Sequence, residues 1–259
     1  MLRVIRTEIF KFYFDIKRYL FNYIVGIAAT SIFLGGIYWA TKSLFVEGGS
    51  EVAFMGLLLW LFASSALSDA TEHLTEERYI GTLERISITK TPVVCILIAR
   101  FIVNFLFTLC RAILIGGILY IIFQPKTGLL FSSWRVSTMA LIIAVLTIIA
   151  LYGFGLFMAS LGLIFKRVGA ISSTLEYLVL FFSGILVPWE SMPSLLQSFS
   201  KVLPMTWGIR TLNNLQSGVN FWFCFANLIF YTLIITLIGS ITIHYSMKFV
   251  KKKGEYSFY

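Results

Sequence analysis

The sequence predicts an all-α integral membrane protein, and three observations carry that prediction. Of the 259 residues, 58% are hydrophobic and only 13% charged, so a soluble domain of this size would expose more apolar surface than water tolerates. The apolar residues gather in runs of roughly twenty, the length a helix needs to cross the hydrocarbon. No segment alternates polar and apolar residues as a barrel strand would, and in lipid a backbone satisfies its polar groups only as a helix or a closed barrel. The net charge of +9 does not point to nucleic acid, because the basic residues sit at the ends of apolar runs.

Residues 1–19 come first. Leu2, Ile5, Ile9, Phe12, Tyr13, Ile16 and Leu20 recur at steps of three and four, with Arg3, Arg6, Lys11, Lys17 and Arg18 between them. The pattern predicts an amphipathic helix lying in the interface against anionic head groups; a plain basic flank of the first span is the alternative. Six spans follow, over 20–41, 52–70, 93–123, 136–164, 169–187 and 222–247. The first is too long for the apolar core of a signal peptide and no small-residue cleavage site follows it, so it is expected to remain in the mature protein. The third and fourth exceed a perpendicular crossing and should tilt or extend past the membrane. With both termini on one side, fourteen basic residues fall there and five on the other. That bias predicts cytoplasmic termini.

Between the second and third spans lies EHLTEERYIGTLERISITKTP, residues 72–92. Asp69, Glu72, Glu76, Glu77 and Glu84 place five of the twelve acidic residues in or beside it. Gly81 can end one short helix in the left-handed conformation, and Thr82 can cap a second that Pro92 closes. The result would be a rigid charged knob facing a soluble partner. A solvated linker is the alternative.

Residues 188–221 form the other informative connection. Pro188, Pro193 and Pro204 break helices, while Met192, Leu195, Leu196, Phe199 and Val202 keep helical spacing. One or two short helices are expected to dip into the outer interface or re-enter the membrane, where broken backbone must be buried in protein or line a water-filled cavity. Trp189, Trp207 and Trp222 suit the outer aromatic belt.

Catalytic and nucleotide-binding signatures do not occur. There is no G-x-x-x-x-G-K-[ST] phosphate loop, no H-E-x-x-H and no G-x-S-x-G. The two histidines, His73 and His244, are far apart, and Cys95, Cys110 and Cys224 lack metal-ligand spacing. Inside the spans the notable polar residues are Arg100, Arg111 and Glu176. The arginines are eleven residues apart on one face of the third span. A central Arg costs about 2.5–3.5 kcal/mol on insertion scales and so turns toward protein or water. Glu176 is the natural partner for Arg100. The set reads either as a structural ion pair, with Arg100 otherwise snorkelling to the head groups, or as the polar lining of a substrate path.

Two of these runs carry a family resemblance. EERYIGTLERISITKTP resembles the loop after the second helix in ATP-binding-cassette permeases of the type-2 exporter family, and SGILVPWESMPSLLQSFSKVLPMTWGIRTL resembles that family's signature before the last helix. The likeness extends over the whole chain and is nearer the drug, antibiotic and peptide exporter branch. It implies a single permease domain over 1–259, with a coupling helix formed by Glu76, Glu77, Arg78, Gly81, Thr82, Leu83 and Glu84 that docks on a separate ATPase subunit. Lys90 and Thr91 before Pro92 depart from the usual ending of that element. Gly184, Pro188, Glu190, Pro193 and Pro204 would belong to an outer gate on a re-entrant hairpin. The resemblance further implies a second permease subunit, identical or homologous, and no cofactor on this chain, ATP and magnesium being bound by the partner. The setting it implies is a bacterial cell membrane, and the activity is export by alternating access. A multi-pass scaffold or immunity protein without transport activity remains the alternative from another class, and a secondary transporter a third.

Overall fold

The computed structural model describes residues 2–42, 49–69, 93–124, 133–165 and 168–253, and all the regular structure among them is helical. The amphipathic segment forms α1 (Leu2–Arg18), which breaks at Tyr19 before α2 (Leu20–Lys42). Next comes α3 (Gly49–Ser64), whose last turn widens to a π-helix over Ser65–Asp69. Two long helices follow, α4 (Val93–Phe123) and α5 (Trp134–Ile164). The helix α6 (Gly169–Phe182), the short α7 (Ser194–Ser200) and α8 (Pro204–Ser217) lead to α9 (Phe221–Lys253).

Five of these are long and apolar enough to cross a membrane: Leu20–Thr41, Glu51–Ser68, Ala99–Phe123, Trp134–Ile164 and Phe221–Val250. Their surfaces bear the mark of that solvent. Ile121, Ile32, Phe230 and Leu141 are exposed by 75%, 76%, 65% and 66%, an arrangement that only lipid would solvate. The predicted span over 169–187 is helical only in its first part. Its helix stops at Phe182 after 14 residues, a rise of about 21 Å, and Ser183–Val187 continue without regular structure.

Contacts between helices fix their directions. Tyr23 meets Phe107 and Tyr38 meets Phe123, so α2 and α4 are parallel. Tyr38 against Phe54 and Phe33 against Trp60 make α3 antiparallel to α2. Thr232 reaches the Leu146 carbonyl, and further on Gly239 abuts the Gly153 carbonyl, which makes α5 and α9 parallel. Trp60 Nε1 donates to the Glu176 carbonyl, whereas Gly56 packs on Ile185; α6 therefore runs against α3. Glycines permit the tightest of these approaches. A Cβ on Gly155 would lie 2.3 Å from the Ala66 carbonyl oxygen, so backbone meets backbone there with no room for a side chain. The core forms where α3, α5 and α8 converge, around Leu57, Ile143, Leu151 and Ile209.

Candidate functional site

Two regions of the bundle break the rule that spans are apolar. The first lies at the end where α1 joins α2. Arg100 and Arg111 line a single cavity of about 380 Å³, as their spacing on one helical face requires. The expected pairing of Arg100 with Glu176 is not what forms. Arg100 Nε stands 3.5 Å from Glu8 Oε1 on α1, with the two side chains only 13% and 17% exposed. Glu176 instead receives a hydrogen bond from Ser68 Oγ at 2.9 Å, within the π turn of α3. A polar hydroxyl delivered by that widened turn suits a carboxylate held in an apolar wall.

Arg111 Nη2 donates to Thr30 Oγ1 of α2, and Thr30 in turn donates to the Gly26 carbonyl. Deeper in the cavity Thr108 Oγ1 donates to Ser65 Oγ at 2.9 Å. Asp15 Oδ2 accepts from the Tyr23 hydroxyl at 3.0 Å. Phe12, Tyr23 and Phe107 pack edge to face on one wall, with Phe12 and Phe107 centroids 4.9 Å apart. Exposure falls along the cavity, from Lys11, Asp15 and Asn22 in the open, through Arg100, Asn104 and Arg111 half-buried, to Ser65 and Thr108 buried. Sequence reasoning found the two arginines and missed Glu8, Lys11, Asp15 and Asn104. A signal was present: positions 8, 11 and 15 share one helical face, and Asn104 lies one turn from Arg100.

The second region runs from α6 to α8. Gly184 takes φ +93°, a left-handed conformation that suits glycine, and turns the chain out of α6 against Ile209. The helix end is closed from outside itself. Ser200 Oγ donates to the Phe182 carbonyl at 2.7 Å and lies 3.1 Å from Thr206 Oγ1, supplying one of the partners that a C-terminal turn lacks. Pro188 precedes a single 3₁₀ turn, Trp189–Ser191, which contains Glu190; Pro193 precedes α7 and Pro204 is its successor's first residue. Gln197 Nε2 donates to the carbonyls of Trp189 and Met192 and holds this corner together. Arg210 lies between Trp189 and Trp207, its guanidinium carbon 3.9 Å and 5.2 Å from the two ring centres.

The α7–α8 pair folds back into the bundle. The Tyr231 hydroxyl, ten residues into α9, donates to the Val202 carbonyl between α7 and α8. Gly208 meets Thr147, thirteen residues into α5 and so about 20 Å along it. At the mouth of α3, buried Glu51 accepts from Gln216 Nε2 at 3.2 Å, a contact the sequence did not flag. Of the predicted outer set, Gly184 and Pro204 are buried, while Pro188 and Pro193 are exposed.

The residues predicted to form the coupling helix, Glu76, Glu77, Arg78, Gly81, Thr82, Leu83 and Glu84, lie outside the described residues. Among the described residues no three His, Cys, Asp or Glu side chains group as metal ligands would. Comparison with curated proteins returns no match. The family model of the ABC-2 type transporter matches residues 2–217, from α1 through the folded-back helices to the end of α8. Multi-pass, helical and matched over most of its length, the chain belongs to the ABC-2 type transporter family and is a membrane-embedded transport subunit.

Proposed function

We propose that this chain is the membrane-spanning subunit of an ATP-driven exporter, working as a pair with a second permease subunit, identical or homologous. It sits in a bacterial cell membrane with both termini cytoplasmic. Glu76, Glu77, Arg78, Gly81, Thr82, Leu83 and Glu84 form the coupling helix that a separate ATPase subunit grips. ATP and magnesium bind there, and this chain carries no cofactor. Gly184, Pro188, Glu190, Pro193 and Pro204 belong to the outer gate, a re-entrant hairpin.

The observation that best supports this reading is the chain's course between α5 and α9. Those helices are parallel, so the 56 residues from 165 to 220 must return the chain to the level where α5 began. The rise of α6, about 21 Å, covers less than half of that path, and the bent Ser183–Val187 continues it. This course supports a sixth crossing built from a broken helix, with α7 and α8 packed beside α5 and α9. Broken backbone at that depth is tolerated only within protein or beside water, which is where a gate has to be. A change in the coupling helix would then bias a two-state arrangement of the bundle.

Co-purification from the native membrane in mild detergent tests the reading. A stoichiometric ATPase, lost on Glu84→Lys while the chain still inserts, supports it. Recovery of the intact chain alone, across several detergents and after crosslinking, overturns it in favour of a scaffold or immunity protein.

A further inference from the structure

The cavity between α1, α2, α3 and α4 carries charge of both signs, two acids and a lysine from α1 and two arginines from α4. Glu8, Lys11 and Asp15 approach from α1, and Arg100, Asn104 and Arg111 from α4. Glu8 and Arg100 neutralise each other across it. Asp15 and Arg111 are held apart: the first is anchored by Tyr23 and the second by Thr30, seven residues further along α2. That separates their anchors by about 10 Å along the helix axis. The gap accommodates an anion and an amine with a hydrogen bond of about 3 Å at either end.

Depth adds a second constraint. Arg100 is at the edge of the Ala99–Phe123 span and Arg111 is the thirteenth of its 25 residues, so the cavity reaches from the interface to the middle of the membrane. Its open end is beside the amphipathic α1, whose Ile9, Phe10, Tyr13 and Phe14 are all exposed and would lie among lipid head groups. The aromatic wall of Phe12, Tyr23 and Phe107 can take the first methylenes of a chain. A volume of 380 Å³ suits a head group rather than a whole lipid.

From this geometry we propose that the cavity is a binding site for a zwitterionic head group, a phosphate joined to a protonated amine. The phosphate meets Arg111 and Asn104, and the amine meets Asp15, whose carboxylate can accept further hydrogen bonds beside the one from Tyr23. In the transporter this is where an amphiphile would lower its head from the inner surface to mid-membrane. That use rests on the transport reading; the binding itself does not.

The test reads binding with no ATPase present, so its failure leaves the transport reading standing. The full-length chain is offered equal amounts of phosphatidylethanolamine, phosphatidylcholine and phosphatidylglycerol in detergent, and the lipid retained is counted by native mass spectrometry. Phosphatidylethanolamine is expected to be retained in preference to both. Asp15→Asn should reduce that preference about tenfold, the loss of one charge-assisted hydrogen bond, and Arg111→Gln should reduce retention of phosphatidylethanolamine and phosphatidylcholine alike. Asp15 is exposed, so Asp15→Asn decides the matter even if Arg111→Gln does not fold. Equal retention of the three lipids, or an unchanged preference in Asp15→Asn, overturns the proposal. Soluble glycerophosphoethanolamine distinguishes the sources. Displacement of lipid by it would mean that the head group alone suffices; persistence of the lipid would assign the site to a membrane-borne ligand.

Discussion

Arg100 of α4 pairs with Glu8 of the N-terminal helix, Nε to Oε1 at 3.5 Å, across 92 residues of sequence. The contact makes α1 part of the bundle rather than a raft beside it. Val4, Ile5, Phe12 and Ile16 half-bury the same face, so the ion pair sits within an apolar seam. Replacing Glu8 or Arg100 by Gln should each lower stability by about 1–2 kcal/mol, between the values for exposed and for buried pairs. Arg100→Gln should be the larger loss, because Arg100 makes a further interaction. Thermal unfolding in detergent checks this through the double variant, which should lose less than the sum by about 1 kcal/mol. Additive losses would show that the two residues act separately.

Glu176 has a different office from the one its sequence position suggests. Its carboxylate accepts from Ser68 and its backbone carbonyl from Trp60, which ties α6 to α3 at two points. Only the first depends on the side chain. Glu176→Gln keeps an acceptor for Ser68 and should change stability by less than about 0.5 kcal/mol, whereas Glu176→Leu removes that acceptor and should cost about 0.5–1.5 kcal/mol, the net worth of one hydrogen bond, Ser68 keeping a further interaction. Unfolding midpoints decide between them. An equal loss in both variants would mean that the charge itself matters.

Much of this arrangement could be read from the chain, and the exceptions have physical causes. The helix over 93–123 was legible at both ends because Pro92 precedes it and its residues are predominantly apolar from one end to the other. The break after Phe182 was not. SGILVP is as apolar as the helix before it, and hydropathy carries no record of a backbone turn that depends on Gly184 and on a hydroxyl from Ser200. Arg100 and Arg111 were recognisable because charge within an apolar run is conspicuous. Glu8 was not, since on an amphipathic helix an acid reads as solvated, and only the packing of α1 onto α4 turns it inward. The short helices after Pro188, Pro193 and Pro204 were foreseeable from three prolines amid apolar spacing, but the contact of α8 with Thr147 of α5 rests on Gly208, a residue with no pattern to mark it.

Arg210 should brace the Pro188–Pro204 segment. Its guanidinium lies over the Trp189 ring and beside Trp207, where a half-buried cation–π contact is worth about 1–2 kcal/mol. Arg210→Ala should lose that amount in thermal unfolding. Arg210→Lys should lose a smaller part, keeping the charge without the planar stack. Trp189→Leu added to Arg210→Ala should cost little beyond the lost apolar area. A full second penalty would show that the ring and the cation do not act on each other.

Gly208 and Gly155 are both closely packed, yet they should respond differently to rescue. A Cβ on Gly208 would come within 2.2 Å of Thr147 Oγ1, whereas on Gly155 it would come within 2.3 Å of the Ala66 carbonyl oxygen. The first obstacle is a side chain and the second is backbone. Gly208→Ala should therefore destabilise by about 1–3 kcal/mol, and Thr147→Ala in the same chain should recover part of it by removing the hydroxyl and methyl that the new group strikes. No side-chain change at residue 66 can relieve Gly155→Ala, since the carbonyl remains. Unfolding midpoints for the two single variants, for Gly208→Ala with Thr147→Ala and for Gly155→Ala with Ala66→Gly check the contrast. Recovery in the first pair alone is expected. Recovery in neither would mean that α8 does not sit against Thr147 and that the hairpin lies elsewhere along α5.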